Sequence, residues 1–315
     1  MKISLFLPLL LAGGLYAQSG YQPRDTSYSI HSSYEKIRRS HPEVKPVYPR
    51  LPVGVGADTN VVYARVGEDR PLHLDVFRKT AIGPRPGVLM IHGGGWTTGS
   101  KENLTAMAQH LAERGYVTVV PEYRLSAEAP YPAGVEDLKR AVRWMRAHAT
   151  EYGIDTSRIA AYGCSAGAHL ASLLGTTYNL DLYDGAQPPA APSAAVQAVV
   201  NVDGIVSFVH PAAEPEWTGR SATAWLGDYT KNYERWREAS PLEYADEHTP
   251  PFLFINSSYP RFHAGRDDLF AVLDRHGIYH EEHTFADTPH AFWLLDPWFA
   301  PTLELTVYFL RRVFP

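Results

Sequence analysis

Residues 158–174 leave this chain the least choice of fold. Gly163-Cys164-Ser165-Ala166-Gly167 reads G-x-S-x-G. Before it stands Arg158-Ile159-Ala160-Ala161-Tyr162, a short apolar run suited to a buried strand. After it stands His169-Leu170-Ala171-Ser172-Leu173-Leu174, rich in helix formers. A strand that turns sharply into a helix, with a serine at the tip, is the context of a nucleophile elbow. The turn is so tight that positions two before and two after the serine have no room for bulky side chains. The serine then sits over a helix N-terminus, whose free N–H groups favour developing negative charge. Cys164, the one cysteine, precedes the tip and reads as a small buried apolar residue. With one cysteine there is no intrachain disulfide.

The elbow sits in a chain of alternating strands and helices. Val61–Ala64 and Leu72–Phe77 alternate apolar with polar around Gly67-Glu68-Asp69, as an antiparallel hairpin at a sheet edge does. Strands are expected at Val88–Ile91, Tyr116–Val120, Ala195–Asn201, Phe252–Ile255 and Glu281–Phe285. Between and after them, helical spacing predicts helices over 102–114, 132–152, 267–276 and 303–313. Periodicity is lost from Ser207 to Glu247, which reads as an insertion with short helices. The pattern predicts an α/β fold, a mostly parallel central sheet with helices on both faces. Chemistry in such sheets gathers at the C-terminal ends of the strands.

Two further segments end strands there. His92-Gly93-Gly94-Gly95-Trp96 follows Ile91 directly, and three adjacent glycines let backbone N–H groups turn inward toward an oxyanion. No Gly-Lys-Ser/Thr follows and there is no G-x-G-x-x-G, which argues against nucleotide binding. His290, in the loop after the last strand, is the candidate base for Ser165, with His263 and His169 as its competitors. His169, one turn into the helix after the elbow, reads instead as a buried neutral side chain. The orienting acid should follow a strand between the elbow and His290. After Phe252–Ile255 comes Asn256-Ser257-Ser258-Tyr259-Pro260-Arg261, which holds no carboxylate. Asp203, at the tip of the preceding strand and followed by Gly204, is the favoured acid, with Asp268 and Asp267 as alternatives. There is no H-E-x-x-H and no cysteine pair, so neither a metal nor another cofactor is expected.

From about Val61 to the C-terminus these motifs resemble the α/β-hydrolase superfamily. Within it they resemble the bacterial esterases with an H-G-G-G oxyanion loop, related to hormone-sensitive lipase and to feruloyl and acetyl xylan esterases. The matching segments are His92–Trp96 with Gly99-Ser100-Lys101, Glu122-Tyr123-Arg124-Leu125, the elbow through Ala171, and Pro289-His290-Ala291-Phe292. Glu122 stands where that family has Asp, Ala168 where Gly is usual, and the aspartate after Phe252–Ile255 is missing. The resemblance implies a single α/β-hydrolase domain over 56–315. It implies Ser165 as nucleophile and His290 as base, with the acid either moved to the preceding strand (Asp203) or supplied from the loop that follows (Asp268 or Asp267). It also implies an oxyanion hole of Gly94, Gly95 and Ala166 N–H groups, and substrate contacts from Trp96, Arg261 and His263. The expected reaction is hydrolysis of a short acyl or methyl ester on a plant polysaccharide or oligosaccharide. A peptidase or lipase on the same fold, or a binding module that lost the chemistry, is the alternative.

Met1-Lys2, an apolar run from Ile3 to Leu11, and Ala17 before Gln18 read as a signal peptide over 1–17. A secreted or periplasmic protein without a membrane anchor is expected. Residues 18–55 are polar and rich in Tyr, Ser and Pro, a leader that wraps the surface. The net charge of −5 gives no footprint for nucleic acid. The expected partner is a small-molecule or glycan ester, and oligomeric state is left open.

Overall fold

The computed structural model describes residues 24–67, 69–80, 83–178, 180–184, 191–213 and 215–315. The signal peptide expected over 1–17 lies outside them. The leader is not featureless. It forms α1 (Ile30–Ile37), and β1 (Lys45–Pro46) pairs with β10 (Leu295–Asp296) near the C-terminus. Ser29 caps α1 in a reciprocal box with Ser32, and Ile30, Ser33 and Ile37 are buried. That i, i+3, i+7 spacing is an amphipathic signal, but it spans two turns inside a polar stretch.

The central sheet has eight strands: β2 (Val55–Val66), β3 (Arg70–Lys79), β4 (Arg85–Ile91), β5 (Val117–Pro121), β6 (Ile154–Cys164), β7 (Ala198–Val202), β8 (Phe252–Asn256) and β9 (His280–Thr284). Their order is β2-β3-β5-β4-β6-β7-β8-β9. The expected hairpin is β2 and β3, and β3 runs antiparallel to β5; all later pairings are parallel. Buried on both faces, β5, β7 and β8 are continuous apolar or small runs rather than alternating ones.

The helices are α2 (Thr105–Glu113), α3 (Ala133–Ala147), α4 (Ala149–Tyr152), α5 (Ala166–Thr176), α6 (Pro215–Leu226, broken at Gly219), α7 (Tyr233–Glu238), α8 (Arg266–Arg275) and α9 (Phe299–Val313). Two cores lie on opposite faces of the sheet. One gathers α3, α5 and the aromatics of 207–240; the other gathers α1, α2 and α9. The segment without periodicity is thus a structured excursion, α6 and α7, closed by burial of Trp225 and Trp236. Among the described residues no helix is long and apolar enough to cross a membrane.

A buried ion pair anchors the chain just beyond the glycine run. Lys101 Nζ lies 2.6 Å from Asp75 Oδ2, with side chains 8% and 6% exposed, and Asp75 Oδ1 accepts the Asn60 N–H at 2.8 Å. Removing one partner strands a buried charge. Lys101→Met should therefore lower unfolding free energy by about 3–5 kcal/mol, read as a lower urea midpoint at unchanged m-value.

Candidate active site

Ser165 occupies the sharp turn between β6 and α5 at φ 55°, ψ −122°, a conformation that costs about 1–3 kcal/mol where it is not held in place. The surroundings hold it. Ser165 N–H donates to Val202 O at 2.8 Å, so the turn is tied to the neighbouring strand. A side-chain carbon at Gly163 would sit 2.0 Å from Gly167 O, and one at Gly167 would sit 2.1 Å from Ile91 O. Only hydrogen fits at either crossing.

His290 reaches Ser165 from the loop after β9. Its Nε2 is 2.9 Å from Ser165 Oγ, and its Nδ1 is 2.6 Å from Asp203 Oδ2. Nδ1 therefore carries the proton donated to the carboxylate, and Nε2 is free to accept from the serine. Phe262 stacks on the imidazole at 3.7 Å and Trp293 meets it edge-on at 5.0 Å, which fixes the ring plane.

Asp203 caps β7 at φ 58°, fully buried. Its turn is braced from α5: Asn201 Oδ1 accepts the Gly204 N–H at 2.9 Å, and Asn201 Nδ2 donates to Ser172 Oγ at 2.8 Å. Burial by itself would raise the carboxyl pKa. The imidazoles of His263 and His290 and the Ser257 N–H, 2.8 Å from Oδ1, reverse that and hold it at about 2. The loop after β8, which has no carboxylate at its start, thus supplies a donor to the acid that stands one strand earlier.

The two alternative acids are elsewhere. Asp267 is 81% exposed and paired with Arg266, and Asp268 is 60% exposed and paired with His210. Neither approaches His290; both lie in the first turn of α8. His263, expected to touch substrate, faces the far oxygen of Asp203 at 3.6 Å instead and borders neither cavity at Ser165. It was missed as a partner of the acid because sixty residues separate the two in sequence. Cys164 is fully buried and its thiol pKa is pushed well up, chiefly by that burial.

The glycine run lies beside the serine. Gly94 has φ 121°, and a side-chain carbon there would meet Thr98 O at 2.0 Å. Gly95 and Ala166 border one cavity with Ser165, and Gly94 and Gly95 border a second with Ser165 and His290. His92 braces the run from behind. Its Nδ1–H donates to Gly93 O at 2.8 Å, and Tyr123 stacks on the ring at 4.5 Å while its hydroxyl donates to His92 O at 2.9 Å. The leader completes the brace, a contribution sequence reading missed. Arg24 reaches His92 Nε2 at 3.3 Å, Gly99 O at 3.1 Å and Tyr123 O at 2.6 Å, and Gly99 N–H donates to Asp25 O at 2.8 Å.

The two cavities differ. The inner one, about 170 Å³, is walled by Trp96, Ile205, Ala213 and Phe262. Trp96 is held there by stacking on Trp225 at 5.2 Å and by donating Nε1–H to His169 Nδ1 at 3.3 Å. The outer cleft, about 440 Å³, runs between α1 (Ser32, Lys36) and Tyr259, Arg261 and His290. A larger cleft of about 650 Å³, lined by Asp58, Arg78, Arg114 and Tyr152, opens at the opposite ends of the parallel strands, away from the serine. Among the described residues no group of three His, Cys, Asp or Glu is placed to hold a metal ion.

Residues 74–260 match the family described as BD-FAE. The chain is 32% identical over 231 residues to the probable carboxylic ester hydrolase LipM of Mycobacterium tuberculosis, covering 70% of this chain and 50% of that protein. It is 27% identical over 246 residues to the versiconal hemiacetal acetate esterase of Dothistroma septosporum, covering 73% and 72%. The chain spans about half the length of the mycobacterial relatives LipM and LipC. Among solved structures, a truncated carbohydrate esterase from gut microbiota superposes with a TM-score of 0.69 at 24% identity, covering 85% of this chain and 99% of that one. Propionate-bound esterase Est2 of Thermogutta terrifontis superposes with 0.67 at 24% identity, covering 84% and 96%. At that identity the likeness is one of fold.

Two outcomes follow for the site. Asp203→Asn, which keeps shape but loses the charge that orients and stabilises the imidazolium, should lower kcat on a soluble ester by about 10⁴-fold, whereas Asp268→Asn should leave it within about twofold. Burial depresses the pKa of His92 to about 3 and of His169 to about 4, against 6.5 for a free ring. The unfolded chain therefore binds more protons than the folded one between those values. This part of the stability should be complete above pH 6.5 and decline as pH falls below it, measured by urea unfolding across the range.

Proposed function

Because the chain belongs to the BD-FAE family, we propose that it is a serine carboxylic ester hydrolase that removes a short acyl group from a polar, polyhydroxylated alcohol. The observation that carries this is the single imidazole held between Ser165 Oγ at 2.9 Å and a buried, ionised carboxylate at 2.6 Å. Ser165 Oγ attacks the ester carbonyl carbon while His290 Nε2 takes its proton. The carbonyl oxygen, now negative, is held by N–H groups of Gly94, Gly95 and Ala166. The C–O bond to the alcohol breaks, and His290 returns the proton to the departing oxygen. Water then repeats the sequence on the acyl-enzyme and releases the acid.

The leaving alcohol must be the side that faces His290, since it receives that proton. His290 borders the outer cleft and not the inner cavity, which supports the alcohol in the former and the acyl group in the latter. The inner cavity is below the range of about 300–1,000 Å³ usual for larger ligands, so a short acyl chain fits it. The outer cleft offers hydroxyls of Ser32, Ser40 and Tyr259 and a cation at Lys36, chemistry suited to a sugar. That two structural neighbours are described as carbohydrate esterases agrees with this choice.

The test is a series of p-nitrophenyl esters from acetate to octanoate, run beside Ser165→Ala and a fluorophosphonate label. Wild type should label at Ser165 and favour the shortest chains, and Ser165→Ala should fall to background. An unlabelled, inactive wild type would remove the reading. Ile205→Ala, which lengthens the inner cavity, should shift the preference toward longer chains by about tenfold in kcat/KM, the worth of roughly 1.4 kcal/mol. Acetylated oligosaccharides against simple alkyl acetates separate a sugar alcohol from a small one.

A further inference from the structure

His263 ends the 3₁₀ turn Pro260–His263, in the loop after β8. Its side chain is 14% exposed, and its Nε2 is buried with no hydrogen-bond partner. That nitrogen lies 3.6 Å from Asp203 Oδ1, past hydrogen-bond range. A buried polar atom left unpaired is destabilising, so its persistence beside a catalytic carboxylate asks for a role.

The geometry limits what that role is. A ring nitrogen that faces a carboxylate oxygen carries a hydrogen, because lone pair would otherwise oppose lone pair. Asp203 is thus flanked by two imidazoles, His290 on Oδ2 and His263 on Oδ1, with the Ser257 N–H also on Oδ1. Apo contacts of this length are the ones that tighten when substrate binds and charge develops. The other charged groups around His263, among the described residues, are Glu282 on β9, paired with Arg266 of α8 at 3.1 Å, and Arg261 on its own turn. His210, paired with Asp268, precedes the 3₁₀ turn Pro211–Ala213 that packs on 260–263.

We propose that His263 is a positioning residue: a second imidazole that holds the Asp203 carboxylate ionised and in register from the side opposite His290. It also draws part of the carboxylate's charge away from His290 and so sets the basicity of the catalytic ring. The inference rests on the esterase reading of Ser165, His290 and Asp203 and extends it to a residue that touches no substrate. The direction of the effect is fixed. With the imidazole beside Oδ1 gone and the Ser257 N–H alone left there, more negative charge faces His290, its protonated form is favoured, and the acid limb of kcat/KM moves to higher pH. Looser orientation of Asp203 lowers kcat and leaves KM alone.

The experiment uses the full chain with His263→Leu, which removes the donor, and His263→Gln, whose amide nitrogen stands where Nε2 does. Hydrolysis of p-nitrophenyl acetate is followed from about pH 5 to 9, the range over which an imidazole base titrates. His263→Leu should lose about tenfold in kcat with KM within about twofold, and its acid limb should move upward. His263→Gln should recover both. If the leucine variant does not fold, His263→Phe, a ring without a donor, takes its place. A folded Leu or Phe variant with wild-type kcat and acid limb overturns the proposal, as does a glutamine variant impaired as much as they are. The low-field proton resonance of the His290–Asp203 bond reads the same coupling without substrate. It should move in the Leu or Phe variant and return in Gln. A wild type that hydrolyses no ester would sink the esterase reading, and this resonance would still decide the role of His263.

Discussion

The site depends on one ionised carboxylate kept out of water. Moving a charge from solvent into a protein interior carries a penalty of several kcal/mol unless hydrogen bonds and opposite charge offset it. Asp203 is fully buried, and each of its oxygens is met by a donor: Ser257 N–H on one, His290 on the other. Without those donors the acid would take up a proton, His290 would lose its orienting partner, and Ser165 would have no base. The ends of β7 and β8 and the loop after β9 must therefore converge to within hydrogen-bond reach. The parallel register of the sheet sets that convergence, since Val202 pairs with Ile255 and Cys164 with Val202.

Backbone strain marks the same place. Ser165, Asp203, Ala291 and Trp96 all adopt positive φ without being glycine. Such residues are retained where the surroundings over-determine them. Here the support comes from the Asn201–Ser172 brace below Asp203, the glycine crossings around Ser165 and the aromatic cluster behind Trp96. The leader adds a further brace. Arg24 joins His92, Gly99 and Tyr123, and α1 forms one wall of the outer cleft. A segment outside the family match at 74–260 thus shapes both the oxyanion loop and the entrance for the alcohol.

Much of this was legible locally. The elbow at Gly163–Gly167, the glycine run after Ile91 and the histidine loop near Pro289 each need particular residue types at consecutive positions, so their chemistry is written in short windows. Alternation of strands and helices carried the fold class for the same reason. Sequence favours Asp203 over Asp267 and Asp268 because it stands at a strand tip before a glycine, whereas the other two begin a helix, where an acid can simply complement the dipole. Composition hides α1, because its capping pair, Ser29 and Ser32, lies in a stretch that resembles a loop.

What the sequence by itself determined is which residues do chemistry that local backbone geometry prepares: a strained serine, inward-turned glycine N–H groups, a histidine at a strand end. Tertiary structure decided how those parts are tuned. It placed His263 beside Asp203 Oδ1, across from His290 and outside both cavities at Ser165, and put Arg24 behind His92. It also divided the cleft into a small apolar cavity and a wider polar one. These are contacts between residues tens of positions apart. They depend on how strands register and loops stack rather than on any neighbour in the chain, so no spacing rule along the sequence could report them.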